Sequence, residues 1–273
     1  MTKKAKKITI ITSSVTVGVV LIILLGLIFA GYFTTWGPFG NLANIRFRKL
    51  SGNADKYSVE NVQPLESSPL DGMNICYLGS SVTYGASSLQ ESFVEFIAKR
   101  NNTTFVKEAV SGTTLVTTCT GGNSYITRMK KLDKSAKFDL FVCQLSTNDA
   151  SQNKPLGEVK GIGKTYDTST ICGAINTIID YVKNTWNCPV VFYTNAYYES
   201  ENYAKMVEAV KQIADIKGAY VIDLYTDADF NNITDEQSSL CMADKIHPTK
   251  AGYLLWWTPK IEETLYRIME KRQ

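Results

Sequence analysis

The residues best suited to chemistry in this sequence begin with a lone histidine near the carboxyl terminus. His247 is the only imidazole among 273 residues, so any histidine base must be this residue and His-rich metal centres are excluded. Asp244 precedes it by three residues, and Pro248 follows it directly. A carboxylate at this spacing can bond one ring nitrogen and leave the other free to take a proton from a serine. A surface or capping histidine is the alternative.

Three further polar sites lie upstream, each directly after an apolar run. Ser81, within Gly79-Ser80-Ser81, occupies a small-residue turn that can expose a nucleophile. Gly112 can offer an unobstructed backbone N–H, and Asn148 can direct a side-chain amide at a developing oxyanion. Each also has an ordinary explanation, as a turn residue or a helix N-cap.

The elements that must position these residues follow an alternating pattern. Short apolar runs predict strands at residues 73–78, 104–109, 139–146, 189–194 and 219–224. Amphipathic stretches predict helices at residues 89–100, 124–132, 168–186, 199–216 and 250–271, the last broken or kinked at Pro259. The alternation indicates an α/β fold, a three-layer α/β/α sandwich around a mostly five-stranded parallel sheet. In such sheets ligands bind at the carboxyl ends of the strands, which is where the polar sites fall.

The amino-terminal residues predict a membrane anchor. Residues 1–7 carry four lysines, and no charged residue follows until Arg46. As a helix, residues 8–33 would be ~39 Å long, enough to cross a hydrocarbon core of ~30 Å, with the lysines cytoplasmic. We therefore expect a cytoplasmic tail (1–7), a transmembrane signal anchor (8–33), a juxtamembrane linker (34–71) and a domain outside the cell membrane (72–273). Secretion after cleavage of a signal peptide is the alternative.

Charge and cysteine content narrow the range of partners. Of the 29 basic residues, four belong to the tail, which leaves 25 against 26 acidic residues and no basic excess that would mark a nucleic-acid partner. Six cysteines fit an exported protein, and the absence of CxxC disfavours a zinc ribbon. Cys76 and Cys143 lie in apolar runs typical of buried thiols. The other four could form disulfides in a pairing that the sequence leaves open: Cys119, Cys172, Cys188 and Cys241.

Taken in chain order, these blocks resemble the SGNH (GDSL-type) hydrolase superfamily, which is named for Ser, Gly, Asn and His in four separate blocks. Ser81 stands at the nucleophile's position, Gly112 and Asn148 match the second and third blocks, and Asp244-Lys245-Ile246-His247 matches the last. The resemblance covers roughly residues 73–271. In one departure, Ser80 stands where the family usually has Asp, which bears on subfamily and substrate rather than on the triad.

The resemblance implies a flavodoxin-like fold and a serine esterase of Ser-His-Asp type that needs no cofactor and no metal. Ser81 would be the nucleophile, His247 its base, and Asp244 the group that orients the imidazole. The backbone N–H groups of Ser81 and Gly112 and the side chain of Asn148 would form the oxyanion hole.

The resemblance and the outward location together favour an acyl or acetyl ester on a cell-surface or wall polysaccharide as the substrate. A lysophospholipase or lipase, a glycan O-acetyltransferase and an inactive membrane-anchored binding module are the alternatives. The oligomeric state stays open. Six aromatic residues are candidates for stacking on sugar rings: Tyr84, Tyr125, Tyr197, Tyr198, Trp256 and Trp257.

Overall fold

The computed structural model describes residues 3–34, 37–159 and 165–271. Its contacts divide the chain into two compact units, Met1–Leu50 and Ser51–Gln273.

The first unit is dominated by one long apolar helix. It contains α1 (Lys3–Thr34), a 3₁₀ turn at Gly40–Leu42 and the short helix α2 (Ala43–Phe47). Within α1, Val15–Phe33 is long and apolar enough to cross a membrane, and its large side chains are mostly exposed rather than packed. The prediction of one amino-terminal apolar helix that is a candidate membrane span is confirmed.

The second unit is built on a five-stranded sheet in which every pairing is parallel, in the order β2-β1-β3-β4-β5. Each observed strand overlaps a predicted one. The strands are β1 (Asn74–Gly79), β2 (Thr104–Ala109), β3 (Leu140–Gln144), β4 (Val190–Tyr193) and β5 (Tyr220–Ile222).

Helices cover both faces of this sheet, because successive side chains of a strand point to opposite faces. In β1, Cys76 and Leu78 join one buried cluster and Ile75 and Tyr77 join the other. The first face packs against the helices Tyr125–Met129, Ile171–Trp186 and Glu201–Lys217. The second face packs against the helices Phe93–Asn101 and Thr258–Glu270. The predicted three-layer α/β/α fold is therefore confirmed. The helices are α3 (Ser81–Tyr84), α4 (Phe93–Asn101), α5 (Tyr125–Met129), α6 (Thr147–Ser151), α7 (Ile171–Trp186), α8 (Glu201–Lys217), α9 (Ala228–Asn231), α10 (Asp235–Cys241), α11 (Lys250–Gly252) and α12 (Thr258–Glu270).

Several helices begin later than predicted because an N-cap residue fixes the start. The side chains of Ser92, Thr170 and Ser200 accept backbone N–H groups of α4, α7 and α8 respectively. The final helix is not broken at Pro259. A π-helical turn at Tyr253–Trp257 precedes α12, and Pro259 lies in the first turn of α12, where a backbone N–H is not needed.

The second unit begins before residue 72, so the observed boundary differs from the predicted one. The side chain of Asn53 accepts the backbone N–H of Lys250 at 2.9 Å, and Lys250 Nζ donates to Ser58 Oγ at 2.7 Å. Val62 and Leu70 are buried in the core. Residues 51–71 therefore pack on the domain, although their sequence lacks the hydrophobic periodicity from which this packing could be predicted.

Two of the cysteines, Cys76 and Cys143, were predicted to be buried thiols. Cys76 and Cys143 are buried in β1 and β3, where desolvation raises the pKa of both thiols. Cys172 lies at the start of α7 and Cys241 at the end of α10, and with Cys119 they are free thiols.

Candidate active site

The sequence-predicted site residues meet at the carboxyl edge of the sheet. Ser81 follows β1, Gly112 follows β2 and Asn148 follows β3, and β1 lies between the other two strands. The loops after β1 and β3 diverge at this point of the strand order, which leaves a crevice where ligands bind in open α/β sheets. Asp244 and His247 reach the same edge from the segment between α10 and α11.

Ser81, His247 and Asp244 form a continuous hydrogen-bonded chain. His247 Nε2 lies 2.8 Å from Ser81 Oγ. On the other side of the ring, Nδ1 lies 2.9 Å and 3.0 Å from the two carboxylate oxygens of Asp244. Because a carboxylate can only accept, we assign the ring proton to Nδ1, which leaves Nε2 to accept from the Ser81 hydroxyl. This arrangement can activate a serine as a nucleophile.

The His247 ring and two backbone N–H groups hold Asp244 in its ionised form. Its Oδ1 accepts the backbone N–H of Ile246 at 2.8 Å and that of His247 at 2.9 Å. Burial by itself would raise the pKa of this carboxyl, but the His247 ring and the two backbone donors outweigh it, so the pKa lies below its usual value of 3.8. The carboxylate therefore stays charged and fixes the ring orientation near neutral pH.

A buried amide fixes the turn that carries Ser81. Gln144 Oε1 accepts the backbone N–H of Ser80 at 2.8 Å, the Thr83 hydroxyl at 2.9 Å and, at longer range, the Ser80 hydroxyl and the Thr83 N–H. Gly79 permits this closeness, because a Cβ there would come within 1.7 Å of Thr83 Oγ1. The turn places Ser81 at the first position of α3, with only 8% of its surface exposed.

The three predicted oxyanion donors follow three neighbouring strands, and Ser81 and Asn148 line the same pocket. Within the described chain, no acceptor is bonded to the backbone N–H of Ser81 or of Gly112. Gly112 has φ of +78°, in the left-handed region that favours glycine. Asn148 Nδ2 donates to the carbonyl of Thr113 at 2.9 Å, which orients the amide and leaves its second hydrogen available.

Arg128 ties the loops of this site together although nothing in the sequence marked it. The side chain is buried, and its guanidinium makes five hydrogen bonds. Its Nη2 donates to the Gly79 carbonyl at 2.8 Å and to Thr113 Oγ1 at 3.0 Å. Its Nη1 donates to the carbonyl and the carboxylate of Glu108, and its Nε to the carbonyl of Asn123. All five guanidinium N–H donors are thus used. They join the ends of β1 and β2 to the loop that follows β2 and contains Gly112 and Thr113, which we call the Thr113 loop.

Asp149 anchors the other side of the Thr113 loop. Its carboxylate is buried and accepts the backbone N–H of Leu115 at 2.8 Å and that of Val116 at 3.3 Å. Burial raises its pKa to about 6, because desolvation outweighs the backbone bonds, the Ser146 hydroxyl and the charge of Lys154.

Two neighbouring pockets open beside Ser81, His247 and Asp244. The Ser81 pocket has a volume of about 350 Å³ and is lined by Ser81, Thr147, Asn148, Ser151, Tyr198, Glu199, Ser200, Ile246 and His247. The Tyr197 pocket has a volume of about 600 Å³ and is lined by Ala196, Tyr197, Tyr198, Glu199, Asn231, Ile233, Ser238, Ser239, Met242, Ala243, Asp244, Lys245 and Trp256. Tyr198 and Glu199 belong to both.

Sequence patterns identified the residues that form the site but not Arg128, Gln144 and Asp149, which support it. A glutamine inside the apolar run of β3 was a usable signal for Gln144, since a buried polar group needs partners. Among the six aromatic candidates, Tyr125 and Trp257 are fully buried and belong to the core. Tyr197, Tyr198 and Trp256 line the Tyr197 pocket.

Solved structures share this fold at low sequence identity. A Lactobacillus plantarum protein is 18% identical, with a TM-score of 0.60, covering 71% of this chain and 97% of its own. A candidate GDSL-like lipase from Bacteroides ovatus is 22% identical, with a TM-score of 0.55 and coverages of 72% and 99%. A catalytic mutant of an acetylxylan esterase from Geobacillus stearothermophilus is 15% identical, with a TM-score of 0.51 and coverages of 71% and 94%.

The sequence comparisons complete the assignment. No curated protein is similar enough in sequence to count as a match. Residues 77–255, about two thirds of the chain, match the GDSL-like lipase/acylhydrolase family. That interval contains all five sequence-predicted site residues and runs from within β1 through β5. The predicted resemblance is confirmed, and the chain belongs to the GDSL-like lipase/acylhydrolase family.

Proposed function

We propose that this protein is a serine esterase that removes an acyl group, most simply acetyl, from a carbohydrate outside the cytoplasm. The observation that carries the proposal is the 2.8 Å contact between Ser81 Oγ and His247 Nε2, with Asp244 bonded to the other ring nitrogen. A structural histidine would not need a serine at the first residue of a helix on one side and an ionised carboxylate on the other.

The geometry supports acyl transfer in two steps. As Ser81 Oγ bonds to the ester carbonyl carbon, its proton passes to His247 Nε2, and the imidazolium is stabilised by Asp244. The ester C–O bond then breaks and the same proton moves from Nε2 to the departing alcohol oxygen. Water repeats the sequence against the acyl-serine, with His247 as base, and releases the carboxylic acid and free Ser81.

Three donors are proposed to stabilise the oxyanion as it develops. The backbone N–H groups of Ser81 and Gly112 and the second hydrogen of the Asn148 amide are not committed to other partners in the described chain. Donors held in place before the reaction cost no reorganisation when charge develops. Arg128 and Asp149 hold the loop after β2 that carries Gly112, and Arg128 also bonds to the Gly79 carbonyl just before the turn that carries Ser81.

The Ser81 pocket supports a short acyl group over a fatty chain. The pocket has a volume of about 350 Å³, and the described residues that line it include one aliphatic side chain, Ile246, beside several that carry hydroxyl, amide or carboxylate groups. A long hydrocarbon chain would remove these groups from water without offering them hydrogen bonds. Solved structures of acetylxylan esterases share the fold, which is consistent with a carbohydrate ester as substrate.

We also propose that α1 anchors the domain outside the cell membrane with the amino terminus in the cytoplasm. The apolar length of Val15–Phe33 and the lysines that precede it support this orientation.

The test uses the full-length protein in detergent micelles. We expect it to release acetate from short acetyl esters and to be labelled by a fluorophosphonate at Ser81. Ser81→Ala should abolish labelling and lower kcat by about 10⁴- to 10⁶-fold, whereas Ser135→Ala, an exposed serine outside the site, should change neither. Turnover that survives Ser81→Ala would contradict the proposal, and labelling at the wild-type rate in His247→Ala would contradict the role of the base.

A further inference from the structure

The Tyr197 pocket is larger than the Ser81 pocket, and the proposed reaction does not use it. Their volumes are about 600 Å³ and 350 Å³, and Tyr198 and Glu199 line both, so the two cavities adjoin. A cavity of this size falls within the range of ~300–1,000 Å³ that is typical of ligand pockets.

The direction of proton transfer assigns the two pockets to the two halves of an ester. If the proposed function holds, His247 Nε2 must deliver its proton to the departing alcohol oxygen, so that oxygen lies on the histidine side of Ser81. The Tyr197 pocket is lined by Asp244 and Lys245, which belong to the same segment as His247. The Ser81 pocket, which His247 and Asn148 both line, holds the reacting bond and the short acyl half, and the adjoining Tyr197 pocket offers the alcohol half the larger space.

Two aromatic side chains form a preorganised wall of the Tyr197 pocket. The Tyr197 ring is 60% exposed, while its backbone N–H is held by Asn231 Oδ1 at 2.9 Å. The Trp256 ring stacks on Phe230 at 4.5 Å, and its indole N–H donates to the Phe230 carbonyl at 2.8 Å. The Trp256 ring is thus held by α9, while the Tyr197 ring packs against Tyr225 at 5.3 Å, and each ring presents an apolar face to the pocket.

Four polar side chains around this wall are uncommitted. Among the described residues, the hydroxyls of Ser238 and Ser239 and the charged groups of Glu199 and Lys245 have no hydrogen-bond partner. Two carboxylates, Glu199 and Asp244, would repel a phosphate-bearing alcohol. A hydrocarbon chain would desolvate them without compensation. A sugar ring suits both the polar groups and the aromatic wall. Its hydroxyls can donate to carboxylates and accept from an ammonium, and its C–H face packs on an aromatic ring.

We propose that the Tyr197 pocket binds the alcohol half of the substrate and that this half is a chain of neutral sugar rings packed against Tyr197 and Trp256. The inference rests on the proposed function for the direction of the substrate, and binding can be measured without turnover.

The binding experiment uses full-length Ser81→Ala protein in detergent and xylotetraose as the probe, measured by titration calorimetry. We expect saturable binding that Tyr197→Ala weakens by about 10-fold. Trp256→Phe should retain most of the binding because a ring remains. Leu255→Ala is the matched control, since Leu255 is 56% exposed beside Trp256 but does not line the pocket. The absence of saturable binding, or equal binding by the Tyr197→Ala and Leu255→Ala proteins, would overturn the inference.

The turnover experiment compares acetate release from acetylated xylotetraose and from ethyl acetate, whose alcohol cannot reach the Tyr197 pocket. Tyr197→Ala should lower kcat/KM about 10-fold for the first ester, through KM, and leave the second within about two-fold. A loss that is equal for both esters, or a comparable loss with lysophosphatidylcholine as substrate, would overturn the sugar assignment. If the wild-type protein hydrolyses neither ester while the Ser81→Ala protein still binds xylotetraose, the proposed function fails and the sugar site stands.

Discussion

Replacing Arg128 by lysine tests whether this buried side chain holds the site together. The guanidinium uses all five N–H donors, at distances of 2.8 to 3.2 Å. A lysine ammonium offers three donors and lacks the planar fork, so at least two acceptors lose a charged partner. At about 1.5–3 kcal/mol for each hydrogen bond to a charged group, the free energy of unfolding should fall by about 3–6 kcal/mol. That is a large share of a typical total stability of about 5–15 kcal/mol.

The same substitution should affect turnover more than substrate binding. Arg128 donates to the Gly79 carbonyl, next to the turn that carries Ser81, and to Thr113 Oγ1 in the Thr113 loop. A shift of these loops would misalign Ser81 with the proposed oxyanion donors, and we expect kcat to fall about 10- to 100-fold with KM little changed.

The assay combines urea unfolding of the detergent-solubilised protein, followed by tryptophan fluorescence, with kcat for a short acetyl ester below the unfolding transition. Arg267→Lys is the control, because this side chain is 60% exposed and should change stability by less than about 0.5 kcal/mol. If Arg128→Lys unfolds within about 0.5 kcal/mol of the wild-type protein and keeps kcat within two-fold, the positioning role of Arg128 is refuted.

Three further predictions address the loops of the site. Asn148→Ala should lower the kcat of acetate release about 10²- to 10³-fold with KM little changed, and an unchanged kcat would remove Asn148 from the oxyanion hole. Because burial raises the folded-state pKa of Asp149 to about 6, its neutral form contributes stability that is present below about pH 4 and is lost as the pH rises through about 6. The Tm of the wild-type protein should therefore fall relative to that of Asp149→Asn as the pH rises from 4 to 7. The corresponding change in the free energy of unfolding is about 3 kcal/mol. A difference in Tm between the two proteins that stays the same from pH 4 to 7 would contradict this prediction. Gly79→Ala should unfold at lower urea than Gly112→Ala, since a Cβ at Gly79 would come within 1.7 Å of Thr83 Oγ1 whereas Gly112 has open space and only a positive φ. The opposite order would contradict the packing around the serine turn.

Local sequence signals predicted most of the fold. Apolar runs identified all five strands, and the amphipathic stretches identified the long helices, because both signals depend on side chains close in the chain. The predicted helix starts were less accurate, since the N-cap residues Ser92, Thr170 and Ser200 exclude the preceding residues from the helix. The packing of residues 51–71 was missed because Asn53 and Ser58 bond to Lys250, which is almost 200 residues away.

What the sequence by itself determined is the chemistry available and its order along the chain: one imidazole, a carboxylate three residues before it, and Ser81, Gly112 and Asn148 at the ends of consecutive strands. Only the tertiary structure decided that Ser81 and His247, 166 residues apart, lie within hydrogen-bond distance. It also decided that Arg128, Gln144 and Asp149 support the loops, and which aromatic rings face a pocket rather than the core. The reason is physical: periodicity and turn chemistry act over a few residues, whereas burial and hydrogen bonding across the sheet depend on which distant segments pack together.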